Sequence, residues 1–130
     1  MNNFQSDKPI YLQVVEEVKL KILCGELRPG DKLESVREMA SRLAVNPNTI
    51  QRAFLELERQ GFIVTQRAVG RFVSDNQEFI EKIKRQRIQE TIQQFMDEMA
   101  RYGVKPKELI AYLIEQEDKH EGTHNNSESE

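Results

Sequence analysis

Tryptophan is absent and cysteine occurs once, as Cys24, in a chain of 130 residues. A lone thiol excludes an intrachain disulfide and any site built from several thiolates, which agrees with a reducing compartment. Long apolar runs are missing too: none approaches the roughly 18 residues needed to cross a bilayer. The start of the chain, Met1 to Asp7, lacks both the basic opening and the apolar stretch of an export signal. A cytoplasmic protein with no membrane partner is therefore expected. Aromatics make up only 7% of the chain and hydrophobic residues 38%, so the core is modest. The length allows one compact domain with an appendage, too little for a large enzyme. No nucleophile stands near a base and no phosphate-binding loop occurs, so neither an enzyme nor a cofactor is expected. His120 and His124 have the helical spacing of a metal pair, but they flank Gly122 in a polar stretch, and no metal site is expected there.

Another absence is local. No Asp or Glu lies between Met39 and Leu55, although helix N-termini attract acids through the helix dipole. The whole chain carries −3, which alone argues against a nucleic-acid partner. From Arg28 to Arg71, however, Arg28, Lys32, Arg37, Arg42, Arg52, Arg59, Arg67 and Arg71 face only Asp31, Glu34, Glu38, Glu56 and Glu58, a local excess of +3. From Asn76 onward the balance is −4. The two halves differ in sign, and the local field governs how a phosphate approaches.

Proline and glycine mark the boundaries. Pro9 opens a helix whose Tyr11, Val14, Val15, Val18 and Ile22 follow the three-four spacing of one buried face, ending before Gly25. Cys24, at its end, is expected to be a small core residue. Arg28-Pro29-Gly30-Asp31 has the residues of a type II turn, and Lys32-Leu33 follows as a very short strand. Ser35 and Glu38 form a capping box at the head of a second helix, with Val36, Met39, Ala40 and Leu43 inward. After Ala44-Val45, Asn46 caps a third helix that starts at Pro47 and turns Ile50, Ala53, Phe54 and Leu57 to the core. Gly61 stops it. Phe62–Gln66 and Arg71–Ser74 read as a hairpin, and a first domain of residues 1–75 ends there.

From Glu78 to Tyr102 one long amphipathic helix is expected, closed by Gly103; Pro106 opens a last one. Ile83, Ile88, Ile92, Phe95, Met96 and Met99 on the first, with Leu109, Ile110 and Leu113 on the second, make stripes that two helices cannot bury alone. A second copy of the chain is the simplest cover, so residues 76–118 read as a dimerisation region. Residues 119–130 are polar and acidic and are expected to be a disordered tail.

Two short helices, a tight turn and a hairpin make a mainly α winged helix-turn-helix pattern. With Ile50, Ala53, Phe54 and Leu57 inward, Asn48, Arg52, Leu55 and Arg59 face outward, and Asn46, Thr49 and Gln51 are exposed at the helix start. Asn and Gln match the adenine edge, Arg the guanine edge, and Thr the bases or phosphates. The acid-free helix start, with its free N–H groups and positive dipole end, suits phosphate. Arg67, Gly70 and Arg71 stand at the wing.

These residues resemble the DNA-binding domain of the GntR family of bacterial transcription regulators. The resemblance runs from Leu27-Arg28-Pro29-Gly30-Asp31-Lys32-Leu33 through Ser35-Val36-Arg37-Glu38-Met39-Ala40 and Val45-Asn46-Pro47-Asn48-Thr49-Ile50-Gln51-Arg52-Ala53. It continues through Leu57-Glu58-Arg59-Gln60-Gly61 to Gly70-Arg71-Phe72-Val73. It implies that Arg37, Asn46, Asn48, Thr49, Gln51 and the wing tip contact double-stranded operator DNA; Arg52 is added from its outward position. Two departures stand out: Glu34 replaces the usual proline before Ser35, and Ala68 replaces a wing glycine. A residue with a Cβ resists positive φ, so the wing tip is expected to bend differently. The short C-terminal part resembles the YtrA-type subfamily, which implies a homodimer and a repressor, often of a transporter operon. Control by a small-molecule effector or by stress is typical of such proteins. The rival expectation is a winged-helix protein-interaction module. It would need an apolar patch on the exposed helix, where Leu55 is the one large apolar residue.

Overall fold

The computed structural model describes residue 4 and residues 7–128, with side chains through Glu121. Two compact units divide at Arg85 and Gln86. The first holds helices α1 (Ile10–Leu23), α2 (Val36–Leu43) and α3 (Pro47–Arg59), then strands β1 (Ile63–Gln66) and β2 (Gly70–Val73). The antiparallel hairpin pairs Ile63 with Val73 and Gln66 with Gly70. The expected short strand is an isolated bridge from Lys32 to Phe72, supported by Leu33 N–H to Arg71 O and Val73 N–H to Asp31 O. The type II turn before it closes through Asp31 N–H to Arg28 O at 3.0 Å, with Gly30 at φ +84°.

The core gathers around α3. Ile50, Ala53, Phe54 and Leu57 are each 0% exposed, and α1, α2 and β1 all pack against this helix. Val14, Val15, Val18 and Ile22 close one side, Met39 and Ala40 another, and Ile63 and Val73 the sheet side. Burying each large side chain is worth about 1.5–3 kcal/mol, whereas an exposed ion pair gives less than about 1 kcal/mol. The core therefore decides how α3 is rotated.

Helix α4 (Gln77–Ala100) starts in this unit, with Asn76 Oδ1 accepting from Phe79 N–H. Phe79, Ile80 and Ile83 pack on the first core, Phe79 edge-on to Phe62 with ring centroids 5.4 Å apart. The first unit thus reaches past residue 75. Ile83, expected at an interface, is half-buried against this first core. Cys24 also departs from expectation: it caps α1 and is exposed, its Sγ donating to Lys21 O.

The second unit contains α4 from Gln86 onward and α5 (Pro106–Glu128), joined through Gly103 at φ +77°. Its residue Leu109 is 6% exposed, so it too is covered within one chain and is not an open interface residue. Helix α5 continues to Glu128, through most of the stretch expected to lack structure. A polar composition rules out a packed core, but a helix needs only its own backbone bonds. No proline interrupts it, and Lys119 pairs with Glu115 one turn away at 3.8 Å. The side chain of His124 lies outside the described residues. No helix among the described residues is long and apolar enough to cross a membrane, and no group of three or more metal-ligating side chains occurs among them.

At the end of α3, Glu56 accepts from Arg59 and from Gln60, and Gln60 accepts from Lys19 Nζ on α1 at 2.9 Å. The Arg59 and Gln60 hydrogen bonds pull the Glu56 carboxyl down to about 2. The folded state thus favours the ionised form more than the unfolded chain does. The stabilisation is complete above the ordinary Glu value of about 4.3 and disappears as pH falls through the folded value. Glu56→Gln should lower the melting temperature slightly at pH 7, and its gap to wild type should close as pH is lowered toward 2 in thermal melts.

Candidate nucleic-acid interface

Local chemistry sets the two helix starts. Ser35 Oγ accepts from Glu38 N–H at 3.1 Å while Glu38 Oε1 accepts from Ser35 N–H at 2.9 Å, completing the expected capping box. Hydrogen bonding from the Ser35 backbone N–H, and next from the Ser35 side chain, holds the Glu38 carboxyl below its ordinary value. Arg37, one residue inside α2, is exposed. Between the helices the chain turns at Ala44, whose φ of +57° places it in the left-handed region, with Val45 N–H bonded to Ala40 O.

At α3, Asn46 Oδ1 accepts from Asn48 N–H at 2.8 Å, and Thr49 N–H reaches Asn46 O at 2.9 Å. The helix start is thus already satisfied, contrary to the expectation of free N–H groups. Recognition falls to the side chains. Asn46 uses its carbonyl oxygen on the cap and keeps its amide NH2 group as a donor. Asn48, Gln51 and Arg52 are exposed and Thr49 is half-buried, all on the side of α3 away from its core face. Leu55, 56% exposed, is the large apolar residue on that side.

Ion pairing sorts the basic residues. Glu34 grips Arg42 with both carboxylate oxygens at 2.7–3.1 Å, which raises the Arg42 pKa. Glu34 is the departure from the family's proline, and the pair ties the lead-in of α2 to its last turn. Glu56 holds Arg59, and Glu58 stands 3.5 Å from Arg71 Nε. Asp31 Oδ2 accepts from Arg28 N–H. Every acid of the Arg28–Arg71 stretch is therefore engaged. Lys32 adds a charge interaction with the Glu38 carboxyl, whereas Arg28, Arg37, Arg52 and Arg67 have no acidic partner among the described residues, so the unpaired positive charge lies around the exposed side of α3 and the wing.

The wing differs from expectation at two residues. Arg71 turns inward, its Cζ 5.2 Å from the Phe54 ring centroid and its buried Nε within ion-pair reach of Glu58 but without a hydrogen bond. It braces the hairpin against α3 rather than presenting itself to DNA. Gly70, at φ +144°, is overlain by Lys32: a Cβ built there would stand 2.9 Å from Lys32 Cε. Lys32 lies beside the wing although the sequence presents it as part of a short strand and a charge count, because it sits far along the chain from the hairpin. Arg67 is exposed at the tip. Ala68 beside it has φ +65°, and Val69 N–H closes the turn onto Gln66 O at 3.0 Å. Ala68 thus takes up left-handed backbone although it has a Cβ.

Helix, tight turn, exposed polar helix and basic hairpin together define a winged helix-turn-helix DNA-binding protein. The chain belongs to the GntR family, in its YtrA-type branch. The profile described as "Bacterial regulatory proteins, gntR family" matches residues 10–73. The chain is 42% identical to the HTH-type transcriptional regulator YhcF of Bacillus subtilis over 84% of its own length and 90% of that protein. It is 38% identical to the transcriptional repressor YtrA of the same organism, over 85% and 86%. A GntR family regulator from Listeria monocytogenes superposes with a TM-score of 0.78 at 38% identity, covering 86% of this chain and 98% of that one. The DNA-binding domain of AraR, solved in complex with operator ORX1, matches 55% of this chain and 88% of its own at 29% identity and a TM-score of 0.51. The protein is a DNA-binding transcription regulator and not an enzyme.

Left-handed backbone costs a residue with a Cβ about 1–2 kcal/mol, part of which glycine returns as extra freedom in the unfolded chain. Ala68→Gly should therefore raise unfolding free energy by up to about 1 kcal/mol in denaturant melts.

Proposed function

We propose that this chain is a cytoplasmic homodimeric repressor that reads an inverted-repeat operator, one winged helix in each of two major grooves about 34 Å apart. The observation behind this is the exposed side of α3, free of acids, with the acid-free arginines Arg37, Arg52 and Arg67 around it. Asn48, Thr49, Gln51 and Arg52 supply sequence choice. Arg37, Arg67, Lys32 and the amide of Asn46 supply phosphate or groove-edge contacts. The relatives named as repressors support the direction of regulation, and the YtrA-type resemblance supports control of a transporter operon.

The dimer follows from what one chain leaves open. In the second unit Ile88, Ile92, Phe95, Ile110 and Leu113 are exposed, Phe95 at 42%, while Met96 and Met99 are half-buried. Apolar surface on this scale needs a cover, and a second copy presents the same stripe. Residues 86–118 are the dimerisation region on this view. Phe95→Glu should shift the protein toward monomer in sedimentation velocity and weaken operator binding by at least about ten-fold, since each half then binds alone.

The test of DNA reading is selection of bound fragments from a random duplex library with wild type and Asn48→Ala. Wild type should enrich an inverted repeat that the variant loses, with affinity falling steeply as salt rises. Enrichment of no sequence at low salt would overturn the proposal in favour of a protein partner.

A further inference from the structure

Among the described residues, three cations lie over aromatic rings: Lys19 over Phe62, Arg71 over Phe54, and Arg52 over Tyr11. In the first two the charge is already matched. Lys19 stands 3.4 Å from Glu16 and Arg71 3.5 Å from Glu58, so ring and acid together lock a structural brace. Arg52 differs. Its Cζ is 3.9 Å from the Tyr11 ring centroid, the shortest of the three, yet it is exposed and has no acidic partner among the described residues. Tyr11 itself is anchored, half-buried against the first-unit core near the start of α1. A guanidinium over a ring uses its π face and leaves the N–H groups along its edge unspent. Asn48 stands one helical turn before Arg52, on the same exposed side of α3.

We propose that Tyr11 is a positioning residue for DNA recognition: its ring holds the Arg52 guanidinium in place beside Asn48, with its N–H edge ready for paired acceptors on DNA. Those acceptors are the oxygens of a phosphate or the O6/N7 edge of a guanine. The proposal rests on α3 being the DNA-facing helix. Tyr11 acts through Arg52, by restricting a long flexible side chain before DNA arrives, which lowers the ordering cost of the contact.

The test uses the full chain, the duplex enriched by wild type, and a mixed-sequence duplex of equal length. Arg52→Ala should weaken binding to the enriched duplex about ten-fold. Tyr11→Leu should weaken it about three-fold or more, while Tyr11→Phe, which keeps the ring, stays within about two-fold of wild type. The double variant Tyr11→Leu with Arg52→Ala should bind no more weakly than Arg52→Ala alone. A loss confined to one G·C pair identifies the guanine edge; an equal loss on both duplexes, with the salt slope reduced by about one, identifies a phosphate. Wild-type binding by Tyr11→Leu, additive losses in the double variant, or equal losses for Phe and Leu at position 11 would each overturn the proposal. If Tyr11→Leu does not fold, Arg52→Lys decides: it keeps the charge but not the planar fork, so it should lose affinity as Arg52→Ala does, and wild-type binding would refute the stack. Asn48→Ala separates the two levels. Weakened binding there with Arg52→Ala unaffected sinks only the Tyr11 role, whereas wild-type binding by both variants removes the DNA-facing assignment of α3 itself.

Discussion

Complete burial of one side of α3 is the constraint on which the first unit depends. Ile50, Ala53, Phe54 and Leu57 lose all solvent contact, and α1, α2 and β1 reach each other largely through this helix. A residue such as Phe54 at the centre contributes several times what a surface ion pair does, with truncation costing about 3–5 kcal/mol. Rotation of α3 is therefore not adjustable. Because the inner side is fixed by packing, the outer side carrying Asn48, Gln51 and Arg52 is fixed with it. Recognition groups are thus placed by the core rather than by contacts among themselves.

Electrostatics act on top of that frame by subtraction. Glu34, Glu56 and Glu58 each occupy an arginine, and Asp31 and Glu38 are held by backbone N–H groups. The acids brace the scaffold, and what they leave unpaired is the positive charge on the side that a polyanion would meet. A chain with overall charge of −3 can bind DNA for this reason. Glu34 belongs to the same scheme: its two-point ion pair to Arg42 ties the approach to α2 to the last turn of that helix.

Most of the architecture was legible in the sequence because its signals are local. The Ser35–Glu38 box, the Arg28–Asp31 turn, Asn46 before Pro47, and the hairpin around Gly70 each depend on residues within a few positions of one another. Where expectation and structure parted, the deciding contact lay elsewhere in the chain. Ile83 continues an apolar stripe along α4, yet it packs half-buried against the first core. Leu109 looks like its neighbours Ile110 and Leu113, yet it alone of the three is covered. Polar composition after Asp118 argued for lack of structure, but a helix can continue on its own backbone bonds without a core.

By itself, the sequence determined the order of elements, their caps and turns, the side of α3 that faces inward, and membership of a family of DNA-binding regulators. Periodicity and short-range hydrogen bonding suffice for those. Tertiary structure alone decided which charges and polar groups stay available. Arg71 and Arg67 lie four residues apart in one basic wing, yet one is committed to Phe54 and Glu58 while the other is exposed. Tyr11 and Arg52 meet across 41 positions, and Lys32 lies over Gly70 from the far side of α3 in sequence. Pairing in space depends on where the core brings distant segments, and no local pattern encodes that distance.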